Sequence, residues 1–381
     1  QDRETPLMRA AFYRNTEAGR MLLAAGARTD IVNRVGDYAL GIAVGREAYD
    51  LARDIQRAGS PVQGTYDAPL KALAENSNAD AALARDLVVA VGPESAEAAE
   101  AVQLAARRGN LAALRSLLDA GARGPDKRIT MNGALLAAVT ESPNDAKTPA
   151  DKPEIVALLL KHGADAGMRF RSLGAAAARE RWIFLFFHNG AMDESLSALH
   201  LAADYGLPRT VALLIKAGAP VDMIDNEGRT PLWLAASYGS PWEDAYNLGR
   251  PERMTACAEA AKLLAAAGAD PIREDREGFS PLLMGLSNPQ IVSLFLKSPK
   301  VRTRVDAVTG SGWTALTHAA FHERRTEAIP LLLAAGADPG RPDGEGRLAL
   351  DVALEKKNGK AAAYLMAGRS TGTGKGKPGA P

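Results

Sequence analysis

Apolar residues recur along the chain at three- and four-residue spacing in short runs, and polar, glycine-bearing segments interrupt those runs at regular intervals. "NEGRTPLWLAASYGS", residues 226–240, is typical. Thr230 is placed to cap a helix, Pro231 suits its first turn, and Leu232, Ala235 and Ala236 share a face. The phrase returns as "ETPLMRAAFYRN", "VGDYALGIAVGRE", "REGFSPLLMGLSN", "GSGWTALTHAAFH" and "GEGRLALDVALEK". A second, leucine-rich phrase closes the repeats: "MLLAAGARTD" from Met21, "LLDAGARGPD" from Leu117, "LLLKHGADAG" from Leu158, "LLIKAGAPVD" from Leu213, "LLAAAGADPI" from Leu263 and "LLLAAGADPG" from Leu331. The register is constant, since Gly26 to Gly59, Thr5 to Tyr38 and Tyr205 to Tyr238 each span 33 residues. A fixed period of this size predicts a solenoid whose repeating element is helix, turn, helix and projecting hairpin.

Length alone, 381 residues, points to two or three globular domains. The repeats overrule that expectation, because a stack of repeats extends its core with every repeat added. Composition agrees. With 46% hydrophobic but only 5% aromatic residues, the interior is built from Leu and Ala, as close-packed short helices require. The 36 glycines and 22 prolines fall largely at repeat boundaries, where they punctuate structure.

The phrase "DxxGxTPLHxAAxxG…VxLLLxxGADxN" belongs to the ankyrin repeat, and "DNEGRTPLWLAASYG" followed by "AKLLAAAGADP" resembles it nearly position for position. The resemblance runs from Glu4 to about Gly368 and implies an all-α ankyrin-repeat solenoid of about eleven repeats, several of them degenerate. The Ala, Gly and Arg richness points to a bacterial type. Residues 1–368 are then one solenoid, and 369–381 a flexible Gly/Lys-rich tail. Departures stand out. The third repeat lacks its closing "GAD", and the sixth is short, with 27 residues from Gly163 to Gly190. Gly218 to Gly268 spans 50, so about 17 residues near 239–256 are inserted between two helices, with a second insertion near 141–153. Aligning "RWIFLFFHNG" with "EIVALLLKHG" puts Phe184 and Phe187 on a second helix, as an exposed patch or as repacking.

Candidate chemistry is sparse. Forty-six basic against 45 acidic residues give a net charge of +1 and no general drive toward nucleic acid; clusters such as Arg107-Arg108 and Arg324-Arg325 read as solvated helix ends. No apolar run is long enough to cross a bilayer. "GTGKGK" lacks the spacing of a phosphate loop. One cysteine, Cys257, forms no internal disulfide and reads as core filler. His318 and His322 stand at helical spacing, but the sequence offers no third metal ligand, while His200 takes the His position of the repeat and reads as structural. No nucleophile elbow or paired carboxylates stand out. The expectation is a non-enzyme without cofactor or metal, periplasmic or exported in preference to cytoplasmic.

Function therefore rests on surfaces. In ankyrin-like stacks the first helices and hairpin tips line a concave face, and the residues just after the "AA" pair lie there. The resemblance so implies Phe12, Tyr13, Tyr205, Tyr238, Phe321 and His322 as partner-binding residues, with Trp233 at the His position of its repeat and Trp242 and Tyr246 inside the long insertion. Large aromatic side chains dominate interface energetics. The expected function is binding of a specific partner protein, as scaffold or regulatory subunit. Alternatives are an exported effector or a metal- or small-ligand-binding protein.

Overall fold

The computed structural model describes residues 3–62, 68–76, 78–140, 151–169, 187–188, 191–192, 195–237 and 251–372. Two compact blocks emerge, one built mainly from residues up to Met168 and the other mainly from Phe186 onward. Both are stacks of helix pairs.

In the first block the pairs are α1 (Pro6–Phe12) with α2 (Thr16–Ala24), α3 (Ala39–Gly45) with α4 (Tyr49–Arg57), α5 (Pro69–Glu75) with α6 (Ala81–Val91), α7 (Ala96–Arg108) with α8 (Leu111–Asp119), and α9 (Lys127–Val139) with α10 (Pro153–Lys161). The second block pairs α11 (Ala198–Asp204) with α12 (Pro208–Lys216), α13 (Pro231–Ser237) with α14 (Pro251–Ala266), and α15 (Pro281–Met284) with α16 (Pro289–Phe295). It continues through α17 (Pro299–Arg302) to α18 (Ala315–Phe321) with α19 (Ala328–Ala334) and α20 (Ala349–Glu355) with α21 (Gly359–Gly372). Within a block, first helices pack on first helices and second on second. Fully buried alanines such as Ala11, Ala43, Ala105, Ala202, Ala235 and Ala319 let the first helices lie close, while Leu51, Leu87, Leu214 and Leu264 fill the seam between the rows.

Local chemistry explains why each repeat starts and stops where it does. Thr5, Ser197, Thr230, Ser280 and Thr314 accept the backbone N–H three residues on, capping the first helices. The preceding hairpins are held by one side-chain acceptor. Asp225 Oδ1 takes the N–H groups of Glu227 and Arg229, as Asp275, Asp343 and Asn33 do in their own hairpins. The fourth hairpin position needs a left-handed backbone. Gly278, at φ 82°, also lies so close to the next hairpin that a Cβ would stand 2.1 Å from the Ser311 nitrogen, so glycine is fixed there twice over. Gly218 ends α12 at φ 88° with open space around it, so only its conformation excludes a side chain.

The ends of the first helices leave carbonyls that the next repeat satisfies. Asn110 Nδ2 donates back to the carbonyls of Ala74 and Asn76 at the end of α5, and Asn358 Nδ2 donates to that of Ala320 at the end of α18. Arg253 Nη2 reaches the Asp204 carbonyl, and Lys152 Nζ the Arg107 carbonyl at 2.6 Å.

Three expectations are corrected. The helix, turn, helix and hairpin order fails between the fourth and fifth repeats: α7 and α9 are 13 residues long and no hairpin precedes α9. Ser95 and Asp126 cap these helices early, and the seven residues 120–126 leave no room for a projecting turn. Residues 251–256, expected within an insertion, are the start of the 16-residue α14; the rest of that insertion, 239–250, lies outside the described residues, as do 141–150. Phe187 does not continue a helix. Strand β1 (Phe187–His188) pairs antiparallel with β2 (Ala191–Met192), leaving an Asn-Gly dipeptide between them, the strongest short hairpin signal a sequence carries. Phe184 lies outside the described residues. No described helix is long and apolar enough to cross a membrane.

Candidate functional site

In the second block the first helices and hairpins present a row of aromatic and cationic side chains. The fifth hairpin position supplies Arg229, Phe279, Trp313 and Arg347 in successive repeats. First-helix positions add Trp233, His318 and Phe321. Trp313 meets the Phe321 ring edge-on at 5.2 Å and lies 5.6 Å from His318, which stands 5.8 Å from Phe279. Cations stack on these rings: Arg229 over Trp233 at 5.6 Å, Arg347 over Trp313 at 5.0 Å and Lys356 over Phe321 at 4.6 Å. Phe279 and Trp313 escape a reading keyed to the "AA" pair; aligning the fifth hairpin position across repeats exposes them.

The expected partner-binding residues fall in different settings. Phe12 and Tyr13 close α1 in the first block, 43% and 68% exposed and packed edge-on to one another, with the Arg46 guanidinium 3.8 Å above the Phe12 ring. Tyr205 ends α11 at the equivalent position, with Arg253 5.5 Å from its ring. Phe321 and His322 end α18, half-buried, their rings edge-on at 4.6 Å. Trp233 is half-buried and donates its Nε1–H to the Phe279 carbonyl at 3.1 Å, so it joins two repeats as well as facing the row. His200 does the same one repeat earlier: its Nε2 meets the Arg229 carbonyl at 3.3 Å and its Nδ1 the Ser197 hydroxyl at 2.9 Å. Tyr238, Trp242 and Tyr246 lie outside the described residues.

His318 and His322 do not share a helix face, because α18 stops at Phe321. His318 is buried, and its Nε2 accepts from Arg325 Nη1 at 2.7 Å. Arg325 overturns the expectation of a solvated basic cluster. It is 0% exposed, no described carboxylate pairs with it, and its Nε and Nη2 meet no hydrogen-bond partner among the described residues. Burial pulls its pKa down to about 10, and burial together with the adjacent guanidinium holds His318 well below its ordinary value. Among the described residues no cluster of three or more ligating side chains assembles.

A groove of about 450 Å³ opens between the 225–229 and 275–279 hairpins, floored by Trp233, Phe279 and Met284 and rimmed by Glu227, Arg229, Asp275, Arg276 and Glu277. The hairpins around it are stitched together by the Arg276 N–H, which donates to the Glu227 carbonyl.

A family model described as ankyrin repeats (3 copies) matches residues 173–244, and one for the single ankyrin repeat matches 311–344. The chain contains ankyrin repeats. No curated protein matches it significantly. Ankyrin repeats are in general protein-binding modules.

Proposed function

We propose that this ankyrin-repeat protein binds a specific partner protein, as a scaffold or regulatory subunit, through the first helices and hairpins of its second block, without chemistry of its own. The observation that carries the reading is the row of half-buried rings Trp233, Phe279, Trp313, Phe321 and His322, with cations over Trp233, Trp313 and Phe321. Five rings held in one row by capped helices and side-chain-held hairpins lose little conformational freedom on binding, and aromatic side chains supply much of the energy of such contacts. Phe12 and Tyr13 offer a separate, smaller contact in the first block.

Capture of partners from the producing organism tests this, using the full chain and its Tyr205→Ala/Phe321→Ala variant in parallel. The expected outcome is one stoichiometric partner retained by the parent chain and lost at least tenfold by the variant, with unchanged helical circular dichroism. A partner retained equally by both would place the interface elsewhere.

A further inference from the structure

Three hairpins of the second block begin with aspartate, and two of them use it twice. Asp225 Oδ1 holds the turn while Oδ2 takes Arg229 Nε at 2.7 Å, and the guanidinium so fixed lies over Trp233. Asp343 repeats the arrangement with Arg347 Nε at 3.1 Å, over Trp313. The third departs from it. Asp275 Oδ1 holds its turn through the Glu277 and Phe279 N–H groups, but the position that would bring an arginine is Phe279. Among the described residues no cation lies within ion-pair distance of Asp275. Arg229 is engaged by Asp225 and Glu227.

That carboxylate borders the groove floored by Trp233, Phe279 and Met284. An apolar floor under a half-buried acid is what an arginine side chain matches: its stem lies on the floor, a guanidinium face stacks on an aromatic ring, and its N–H groups meet the acid. We propose that this groove receives an arginine side chain of the partner protein, with Asp275 as its counter-ion, Phe279 as its stacking surface and the Trp233 ring, already overlain by Arg229, as the rest of the floor. The proposal rests on the binding face argued above and supplies that partner with a chemical feature. Its internal precedents are the two hairpins in which the chain's own arginine already sits between an aspartate and an indole. Charge agrees: the groove lining carries Glu227, Asp275 and Glu277 against Arg229 and Arg276, and Arg229, whose charge also reaches Asp275, is tied to Asp225 and Glu227.

The probe is the capped tripeptide acetyl-Leu-Arg-Leu-amide, titrated into the full chain and followed by saturation-transfer NMR, beside its citrulline counterpart, which keeps shape and loses charge. The arginine peptide is expected to bind at least tenfold more tightly than the citrulline peptide and to lose that advantage with Asp275→Asn. That variant keeps the turn, because Asn33 Oδ1 holds the first hairpin in the same way. Phe279→Arg should place the chain's own guanidinium on Asp275 and exclude the peptide. Equal binding of the two peptides, binding indifferent to Asp275→Asn, or no binding at all would overturn the proposal. None of these would touch the wider reading, which falls only if the captured partner ignores Tyr205→Ala/Phe321→Ala.

Discussion

His318 and Arg325 form a buried contact between a neutral imidazole and a guanidinium, and the proton balance of that contact is one-sided. Burial and the adjacent charge hold His318 well below its usual value near 6.5, so the folded chain refuses a proton that the unfolded chain accepts. Below about pH 6.5 the unfolded state therefore binds more protons, and stability falls as pH falls; above it the contribution is fully present. The loss amounts to at most about 1.4 kcal/mol per pH unit. Denaturant unfolding between pH 7.5 and 5 should show this slope in the parent chain and a flatter one in His318→Gln, whose carboxamide still accepts from Arg325. Parallel slopes would mean that His318 is protonated in the fold. Sequence reading misses this pair for a physical reason: "HERRTE" looks like a charged loop, and nothing in its local pattern separates the buried Arg325 from the exposed Arg324 beside it.

At the scale of elements, the recurring device is a side chain that starts one second helix and satisfies the end of the preceding first helix. Asparagine suits the task, since one amide both caps and donates, as Asn110 and Asn358 do. Where the fifth repeat has Lys152, an ammonium does the donating and burial lowers its pKa to about 8. The unfolded lysine titrates near 10.5, so between about pH 8 and 10.5 the unfolded chain holds the extra proton and stability rises with pH. The gain is up to about 3 kcal/mol from the size of the shift. Lys152→Gln should unfold without that alkaline rise, and a rise that survives the substitution would assign it to another group. Elements of this kind are legible where they follow the repeat: capping threonines, "AA" pairs and terminal glycines place nearly all the helices of the second block. They are illegible where neighbours decide. The early caps Ser95 and Asp126 lengthen α7 and α9, and nothing in local propensity says that Trp233 will lend its indole N–H to the next hairpin. Asp275 shows the limit most clearly, because its meaning lies in the comparison with Asp225 and Asp343 and not in its own sequence window.

For the whole molecule, the consequence of building from repeats is that stability is a sum of neighbours, so damage is local before it is global. Gly278→Ala tests this at a point where the cost is certain in sign. It places a methyl group in a left-handed conformation, about 1–2 kcal/mol in itself, and drives it into the backbone of the 309–313 hairpin. The contacts that loosen first are those of the second block: the hairpin stack, the Trp233 joint to Phe279, and the packing of α15 against α18. The first block keeps its own core around Leu51, Leu87 and Leu114 and its own carbonyl ladder through Asn110 and Lys152. Hydrogen exchange on the full chain should therefore show protection lost across residues 275–321 in the variant while the amides of α4, α6 and α8 exchange as in the parent. Uniform loss across both blocks would make the chain a single cooperative unit, and the partner-binding face would then be coupled to every repeat instead of to its own block.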